Sequence, residues 1–213
     1  MTSRLQNRRA LVTGAAGGIG SAVTGLFCKE GADVALIDID KVGVSETAAE
    51  TGDVHPDRQL AWFEGDISSE IQCKRLVTEA AQALDGLDIL INCAVARVYQ
   101  PLAESSQKSW ESILGVNLLG TQNLTKFALH YLRQSTGASV VNVSSVFAML
   151  GRRGMGQYDA TKAGIISITR YLAKYCKDQN IRVNCINPGA TRTSMRASAY
   201  PGEDRDKLAT PED

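Results

Sequence analysis

Six short runs of Val, Ile, Leu and Ala, spaced by longer segments of helical period, constrain this chain more than any other feature. The runs cover 10–13, 34–39, 60–64, 87–92, 139–143 and 182–186, and several are apolar at nearly every position. A strand with one wet face alternates polar and apolar residues, whereas a continuous run fits a strand covered on both faces. Between the runs lie candidate helices at 18–30, 42–51, 69–84, 106–134 and 157–178. Ser68-Ser69-Glu70 offers a helix start, and Gly31 and Gly86 stand where helices should stop. Gly115 and Gly120 interrupt 106–134, which reads as one helix or two. Strand–helix alternation of this kind implies parallel crossovers and predicts an α/β fold, a doubly wound parallel sheet. No linker or internal repeat divides the 213 residues, so one domain over 1–213 is expected.

Composition removes several classes of function. With 44% hydrophobic residues the chain can bury a core without covalent staples. The 23 Lys and Arg balance 23 Asp and Glu, which argues against nucleic acid or an anionic membrane as partner. Cys28, Cys73, Cys93, Cys176 and Cys185 are scattered without a C-x-x-C pair, so no disulfide framework is expected. His55 and His130 lie far apart, and no metal site is expected. No apolar run approaches the roughly 18 residues of a membrane span, and the N-terminus lacks a signal-peptide core. The expectation is a soluble, reduced, cytoplasmic protein.

The first run leads straight into Thr13-Gly14-Ala15-Ala16-Gly17-Gly18-Ile19-Gly20 and then a helix. Glycines here permit a tight turn and close approach of a phosphate, and the helix N-terminus offers free N–H groups and partial positive charge. The spacing of Gly14, Gly18 and Gly20 is one residue longer than the common dinucleotide fingerprint. Asp38, ending the second run, can accept hydrogen bonds from both ribose hydroxyls of an adenosine, or it is a solvated loop carboxylate. The same carboxylate repels a 2′-phosphate, and no Arg or Lys lies in 15–20 or directly after Asp38; Lys41 is the nearest. NAD is therefore favoured over NADP. Asp66, past the third run, either meets the adenine, with Ile67 against the ring, or caps the next helix.

Tyr158-Asp159-Ala160-Thr161-Lys162 places a phenol and an ammonium one helical turn apart on one face. A phenol titrates near 10, too high for an efficient base at neutral pH, and a nearby ammonium lowers that value. Taken alone the pair is an ordinary surface pair. Ser144 and Ser145 end the fifth run, where ligands sit in open α/β sheets, or else they only form a turn.

Together these motifs resemble the short-chain dehydrogenase/reductases, in the form with a T-G-x-x-x-G-x-G turn and a Y-x-x-x-K pair. The resemblance runs from Arg9 to Thr193 with the motifs in the family's order. It implies that Tyr158 is the general acid/base and that Lys162 lowers its pKa and binds the nicotinamide ribose. It implies that Ser145, by its spacing from the tyrosine, hydrogen-bonds the substrate oxygen. Asn117 matches the helix asparagine that holds a water in a proton relay; the plain alternative is a polar helix residue with a local backbone bond. Asn187-Pro188-Gly189-Ala190-Thr191-Arg192-Thr193 matches the segment after the sixth strand, with Pro188 and Gly189 at the cofactor and Thr193 near the nicotinamide carboxamide. One departure stands out: the family pattern N-N-A-G is replaced by Asn92-Cys93-Ala94-Val95, with Asn92 kept among the cofactor-binding residues.

The implied reaction is hydride transfer between a secondary alcohol, or its ketone, and a nicotinamide, without a metal. A catalytically silent dinucleotide-binding or assembly protein of the same fold is the alternative, and the intact Asn117, Ser145, Tyr158 and Lys162 set argues against it. A metal-dependent alcohol dehydrogenase fits the scattered Cys and His poorly. Val95, Arg97, Tyr99, Phe147, Met149, Met155 and Met195 are expected around the substrate, an apolar lining with one anion contact. The resemblance also implies a homodimer or homotetramer. It further implies a helix and strand beyond Thr210-Pro211-Glu212-Asp213, so the chain reads as C-terminally incomplete, with the 182–186 strand left as an exposed apolar edge.

Overall fold

A computed structural model describes residues 3–213. Six parallel strands form one sheet in the order β3-β2-β1-β4-β5-β6. They are β1 (Arg9–Thr13), β2 (Asp33–Asp38), β3 (Leu60–Glu64), β4 (Ile89–Asn92), β5 (Ala138–Val143) and β6 (Ile181–Ile186). All six expected runs are strands, shifted by no more than two residues at any end. The helices are α1 (Gly18–Lys29), α2 (Lys41–Val54), α3 (Glu70–Ala83), α4 (Gln107–Leu114), α5 (Thr121–Leu132), α6 (Phe147–Leu150), α7 (Gly156–Tyr175) and α8 (Ser194–Ala199). The short α6 and α8 carry too few residues for a period to show and were not expected.

The central strands explain their own composition. Every residue of β4 is buried, as are Ala10–Thr13 of β1 and the middle four residues of β2. Alternate side chains enter two cores. Leu11, Ile37 and Leu90 meet Leu76 of α3, Leu124 and Leu132 of α5 and Leu172 of α7 on one face. Val12, Val34 and Leu36 meet Cys28 of α1 and Val44 of α2 on the other. Burying one such side chain contributes about 1.5–3 kcal/mol. The edge strand β6 corrects one expectation. Ile181 and Val183 are buried, but Arg182, Asn184 and Ile186 face outward, so its exposed side is not an apolar strip.

Helix ends follow the chemistry of their residues. Ser69 caps α3 by accepting from Gln72 N–H, and the following turn closes through Gly86 at φ +127°. Gly31 likewise takes φ +93° after α1. The 106–134 stretch is neither one regular helix nor two separate ones. Between α4 and α5 the chain continues through a π-helical segment, Gly115–Gly120, bounded by the two glycines. Gly120 lies where a Cβ would come within 2.9 Å of Ile67, so this helix approaches the end of β3 closely. At the chain's end Ala209 forms a parallel bridge with Thr191, and Thr210–Asp213 makes a turn rather than a helix start.

Candidate active site

The carboxyl ends of the strands open onto one cleft of about 540 Å³ that receives residues from every interstrand connection. Its floor is the turn between β1 and α1. Gly14 has φ +70°, and a Cβ there would lie 2.7 Å from Ala94 Cα; at Gly20 a Cβ would lie 2.1 Å from the Gly14 carbonyl oxygen. The turn therefore closes only with glycine at both places. α1 begins at Gly17 with no side-chain cap and no acidic residue in its first turn, so its leading N–H groups and positive dipole end remain available to an anion. Gly18 and Ile19 line this part of the cleft. A pyrophosphate fits this cradle, since glycine leaves its surface open and the helix end supplies donors.

Asp38 closes β2 with both carboxylate oxygens engaged by backbone: Ala16 N–H donates to Oδ2 and Asp40 N–H to Oδ1, each at 3.0 Å. The side chain is thus locked at the wall of the cleft, and each oxygen retains lone-pair capacity for a further donor. It is not a loosely solvated loop carboxylate. Lys41, the nearest cation, points to Glu64 at 3.7 Å. Asp66 also lines the cleft, and Ser68 N–H donates to its Oδ1 at 2.8 Å, so it supports the turn into α3 while bordering the cavity. Ile67 lines the cleft but is nearly all buried, wedged against Gly120.

The segment after β4 keeps its place despite the altered motif. Cys93 and Ala94 N–H both donate to Thr13 Oγ1, at 3.2 Å each. Asn117, fully buried in the π-helical segment, accepts from Ala96 N–H at 2.7 Å. Its Nδ2 donates to Ala96 O at 3.0 Å and to Thr161 Oγ1 at 2.9 Å. Both N–H groups of that amide are committed and its oxygen keeps one lone pair, so the side chain clamps this segment to α7. Asn92 also corrects its assignment: its Nδ2 donates to Asn142 Oδ1 at 2.8 Å and Thr125 Oγ1 at 3.1 Å beneath the sheet end, away from the cleft.

β5 and α7 bring the reactive groups together. Ser144 Oγ donates to Lys162 O at 2.7 Å, and Lys162 Nζ donates to Val143 O at 2.8 Å, tying helix to strand in both directions. Lys162 is 2% exposed, and burial brings its ammonium down to about 8. Its Nζ stands 5.6 Å from the Tyr158 ring centre. Ser145 accepts from Phe147 N–H at 3.2 Å and faces the Tyr158 hydroxyl. Burial raises Tyr158 above its ordinary value, opposed by the Ser145 hydroxyl and then by the charge of Arg152, with Arg97 a smaller influence in the same direction. Among the influences on Tyr158 the cations are Arg152 and Arg97, with Lys162 Nζ beside its ring.

The far wall follows β6. Pro188, Gly189 and Thr193 line the cleft, and Thr193 caps α8 by accepting from Arg196 N–H while its methyl sits over Gly18. The segment after β6 therefore folds back onto the turn after β1, which joins the two ends of the cavity.

The family model for short chain dehydrogenases matches residues 8–204. This chain belongs to the short-chain dehydrogenase family. It is an oxidoreductase of that family with a nucleotide cofactor. It is 35% identical over 196 residues to the 3-oxoacyl-[acyl-carrier-protein] reductase FabG of Thermotoga maritima, covering 90% of this chain and 77% of that protein. Against the meso-2,3-butanediol dehydrogenase of Serratia marcescens it is 32% identical, covering 96% and 79%. A short chain dehydrogenase of Shigella flexneri solved with NADP superposes with a TM-score of 0.92 at 33% identity, covering 100% of this chain and 89% of that one.

Within this family site, five of the seven expected substrate neighbours line the cleft: Val95, Arg97, Phe147, Met155 and Met195. Tyr99 and Met149 do not; both are largely exposed, and Tyr99 packs its ring against Gly154. Sequence reasoning missed Arg152, Arg196 and Tyr200, which also line it. The signal for Arg152 was its position between Ser145 and Tyr158, since a connection between two wall residues must cross the mouth of the site. Among the described residues no group of three metal-ligating side chains occurs, and no helix is long and apolar enough to cross a membrane.

Proposed function

We propose that this protein interconverts a secondary alcohol and a ketone with NAD, using Tyr158 as general acid/base. The observation that carries this reading is that Ser145, Tyr158 and Lys162 share one wall of the cleft whose floor is the Gly14–Gly20 turn. Gly14, Gly18, Ile19 and Gly20 with the α1 N-terminus hold the pyrophosphate, Asp38 the adenosine ribose, and Lys162 the second ribose. Pro188, Gly189 and Thr193 border the nicotinamide, which when bound supplies or accepts the hydride. In reduction Tyr158 donates its phenolic proton to the carbonyl oxygen while Ser145 hydrogen-bonds the same atom. The phenolate left behind is stabilised by Ser145 and by the charges of Arg152, Arg97 and Lys162.

The NADP in the Shigella flexneri structure counts against an NAD preference; what supports it here is the chain's own second strand. Asp38 is fixed by two backbone donors, and Lys41 is turned to Glu64, which leaves a 2′-phosphate a carboxylate and no free cation there. Tyr171 and Tyr175 stack on the exposed side of α7, with ring centres 5.9 Å apart, and support a homo-oligomer through that helix. Light scattering of Tyr171→Glu should show smaller particles than the unmodified protein; a monomer in both would overturn the assembly.

The test is a panel of secondary alcohols with NAD and NADP, and of ketones with NADH and NADPH. Turnover with a higher kcat/KM for NADH is expected. Higher kcat/KM with NADPH would overturn the reading of Asp38. Tight cofactor binding with no turnover across the panel would favour a silent binding protein.

A further inference from the structure

Three carboxylates and three guanidiniums line the same cleft, and the sheet order separates them. Asp38, Asp40 and Asp66 follow β2 and β3; Arg97, Arg152 and Arg196 follow β4, β5 and β6. The chain has no net charge, so this polarity is a property of the cleft and not of overall composition. The acidic end suits sugar hydroxyls. At the basic end, only Arg196 has a carboxylate partner among the described residues, Glu203 at 2.5 Å.

Arg97 and Arg152 are held in place by neutral groups. Arg97 Nη1 donates to Met195 O at 3.0 Å. Arg152 Nη1 donates to Met155 Sδ at 3.3 Å and to the Tyr200 hydroxyl, and its Cζ lies 3.3 Å from the Phe147 ring centre. Its Nε is buried without a partner, and no hydrogen bond forms at Nη2 among the described residues. The backbone N–H of Arg152 donates to Asp159 Oδ2 at 2.5 Å, beside Tyr158, which fixes the guanidinium relative to the phenol. Both charges are felt at the Tyr158 hydroxyl. Asp159 and Glu203 act on Arg152 through space, but neither makes a side-chain ion pair with it among the described residues, and a guanidinium fork matches the two oxygens of a carboxylate.

We propose that Arg97 and Arg152 bind a carboxylate carried by the substrate a few bonds from its reacting carbon, so that the substrate pair is a hydroxy acid and its oxo acid. This rests on the proposed role of Tyr158 and narrows the substrate class. The reaction stays balanced: one hydride reaches the carbonyl carbon, one proton from Tyr158 reaches its oxygen, and the carboxylate is unchanged.

The experiment compares pyruvate, acetoacetate and levulinate, each against its methyl ester, with NADH as reductant, in the unmodified protein, Arg152→Met, Arg152→Lys and Arg97→Met. NADH affinity is measured separately by fluorescence titration. At least one acid should exceed its ester in kcat/KM. Arg152→Met should lower that acid-to-ester ratio by about 10- to 100-fold, the worth of one charge-assisted hydrogen bond. Arg97→Met should lower the ratio in the same direction, and Arg152→Lys should restore part of it, mainly through KM. A merely structural Arg152 would lower acid and ester alike, and that result overturns the proposal. So does a loss of NADH affinity matching the loss of turnover, which would make the cofactor's phosphates the anion bound. Ester turnover without acid preference overturns this inference and leaves the alcohol–ketone reading standing. No turnover of any of the six by protein that binds NADH overturns this inference, and the wider alcohol and ketone panel then decides the alcohol–ketone reading.

Discussion

At the scale of single residues, the site is governed by what each polar atom is already bonded to. Asp38 accepts two backbone N–H groups, so it builds the wall as well as filling the proposed ribose-binding role. Asp38→Ala should therefore have two effects. The ratio of kcat/KM for NADP over NAD should rise by about 10-fold or more, since removing a carboxylate removes repulsion and one charge-assisted acceptor. Melting temperature should fall as well, because Ala16 and Asp40 lose an acceptor. Steady-state kinetics with both cofactors check the first effect and thermal unfolding the second; an unchanged cofactor ratio would contradict the role of Asp38. Lys162 illustrates the same principle with opposite sign. Its ammonium is held down to about 8 by burial, so the folded state disfavours the charge. Its contribution to folding is unfavourable below pH 8 and is relieved as pH rises from about 8 towards the unfolded value near 10.4. Lys162→Met should accordingly lose more of its thermal advantage over the unmodified protein at pH 9.5 than at pH 7. Unfolding curves at the two pH values test this, and an equal difference at both would contradict it.

At the scale of elements, two connections hold the site on the sheet. The first is the π-helical turn between α4 and α5, where the widened backbone carries Asn117 against Ala96 and Thr161. Asn117→Ala strands buried backbone groups, each worth about 1–3 kcal/mol when left unpaired. It should speed amide exchange at Ala96 more than at Leu90 in β4. Equal protection of Ala96 in both proteins would show that the clamp does not hold the segment. The second lies at the opposite end of the sheet, where Arg9 of β1 pairs with Asp88 just before β4 at 2.9 Å. Burial alone would raise the Asp88 carboxyl, but side-chain and backbone donors of Arg9 outweigh it and hold the group at about 2. Because the folded value lies below the ordinary one, this pair stabilises the fold above about pH 4 and the effect is lost as pH falls towards 2. Together with the Ser135 hydroxyl, which acts in the same direction, it is worth about 2 kcal/mol at neutral pH. Asp88→Asn should cost roughly that amount at pH 7 and little at pH 2, as denaturant unfolding at the two pH values will show.

At the scale of the whole molecule, the parallel sheet was legible because its strands are covered on both faces and therefore wrote continuous apolar runs into the sequence. The Gly14–Gly20 turn was legible for a similar reason, since its backbone geometry demands glycine, whereas the Tyr158–Lys162 pair, ordinary by itself, was legible only through the resemblance of the motifs together. Other parts were not. Asn92 looked like a cleft residue, yet its direction depends on Asn142 and Thr125, which only the folded sheet brings near. Arg152 lies in a short connection without period, and its place depends on Asp159, Phe147 and Tyr200 from three separate segments. The result is a cleft that is acidic beside Asp38 and Asp66 and basic beside Arg97 and Arg152, with Tyr158 in its lining. The most direct test of that arrangement is a single-turnover reduction by the NADH complex, comparing the unmodified protein with Tyr158→Phe on the best ketone of the panel. Tyr158→Phe should bind NADH with similar affinity yet lose about 10²- to 10⁴-fold in rate, the usual worth of a positioned general acid. NADH oxidation by Tyr158→Phe at a rate near that of the unmodified protein would contradict the assignment of Tyr158 as the proton donor.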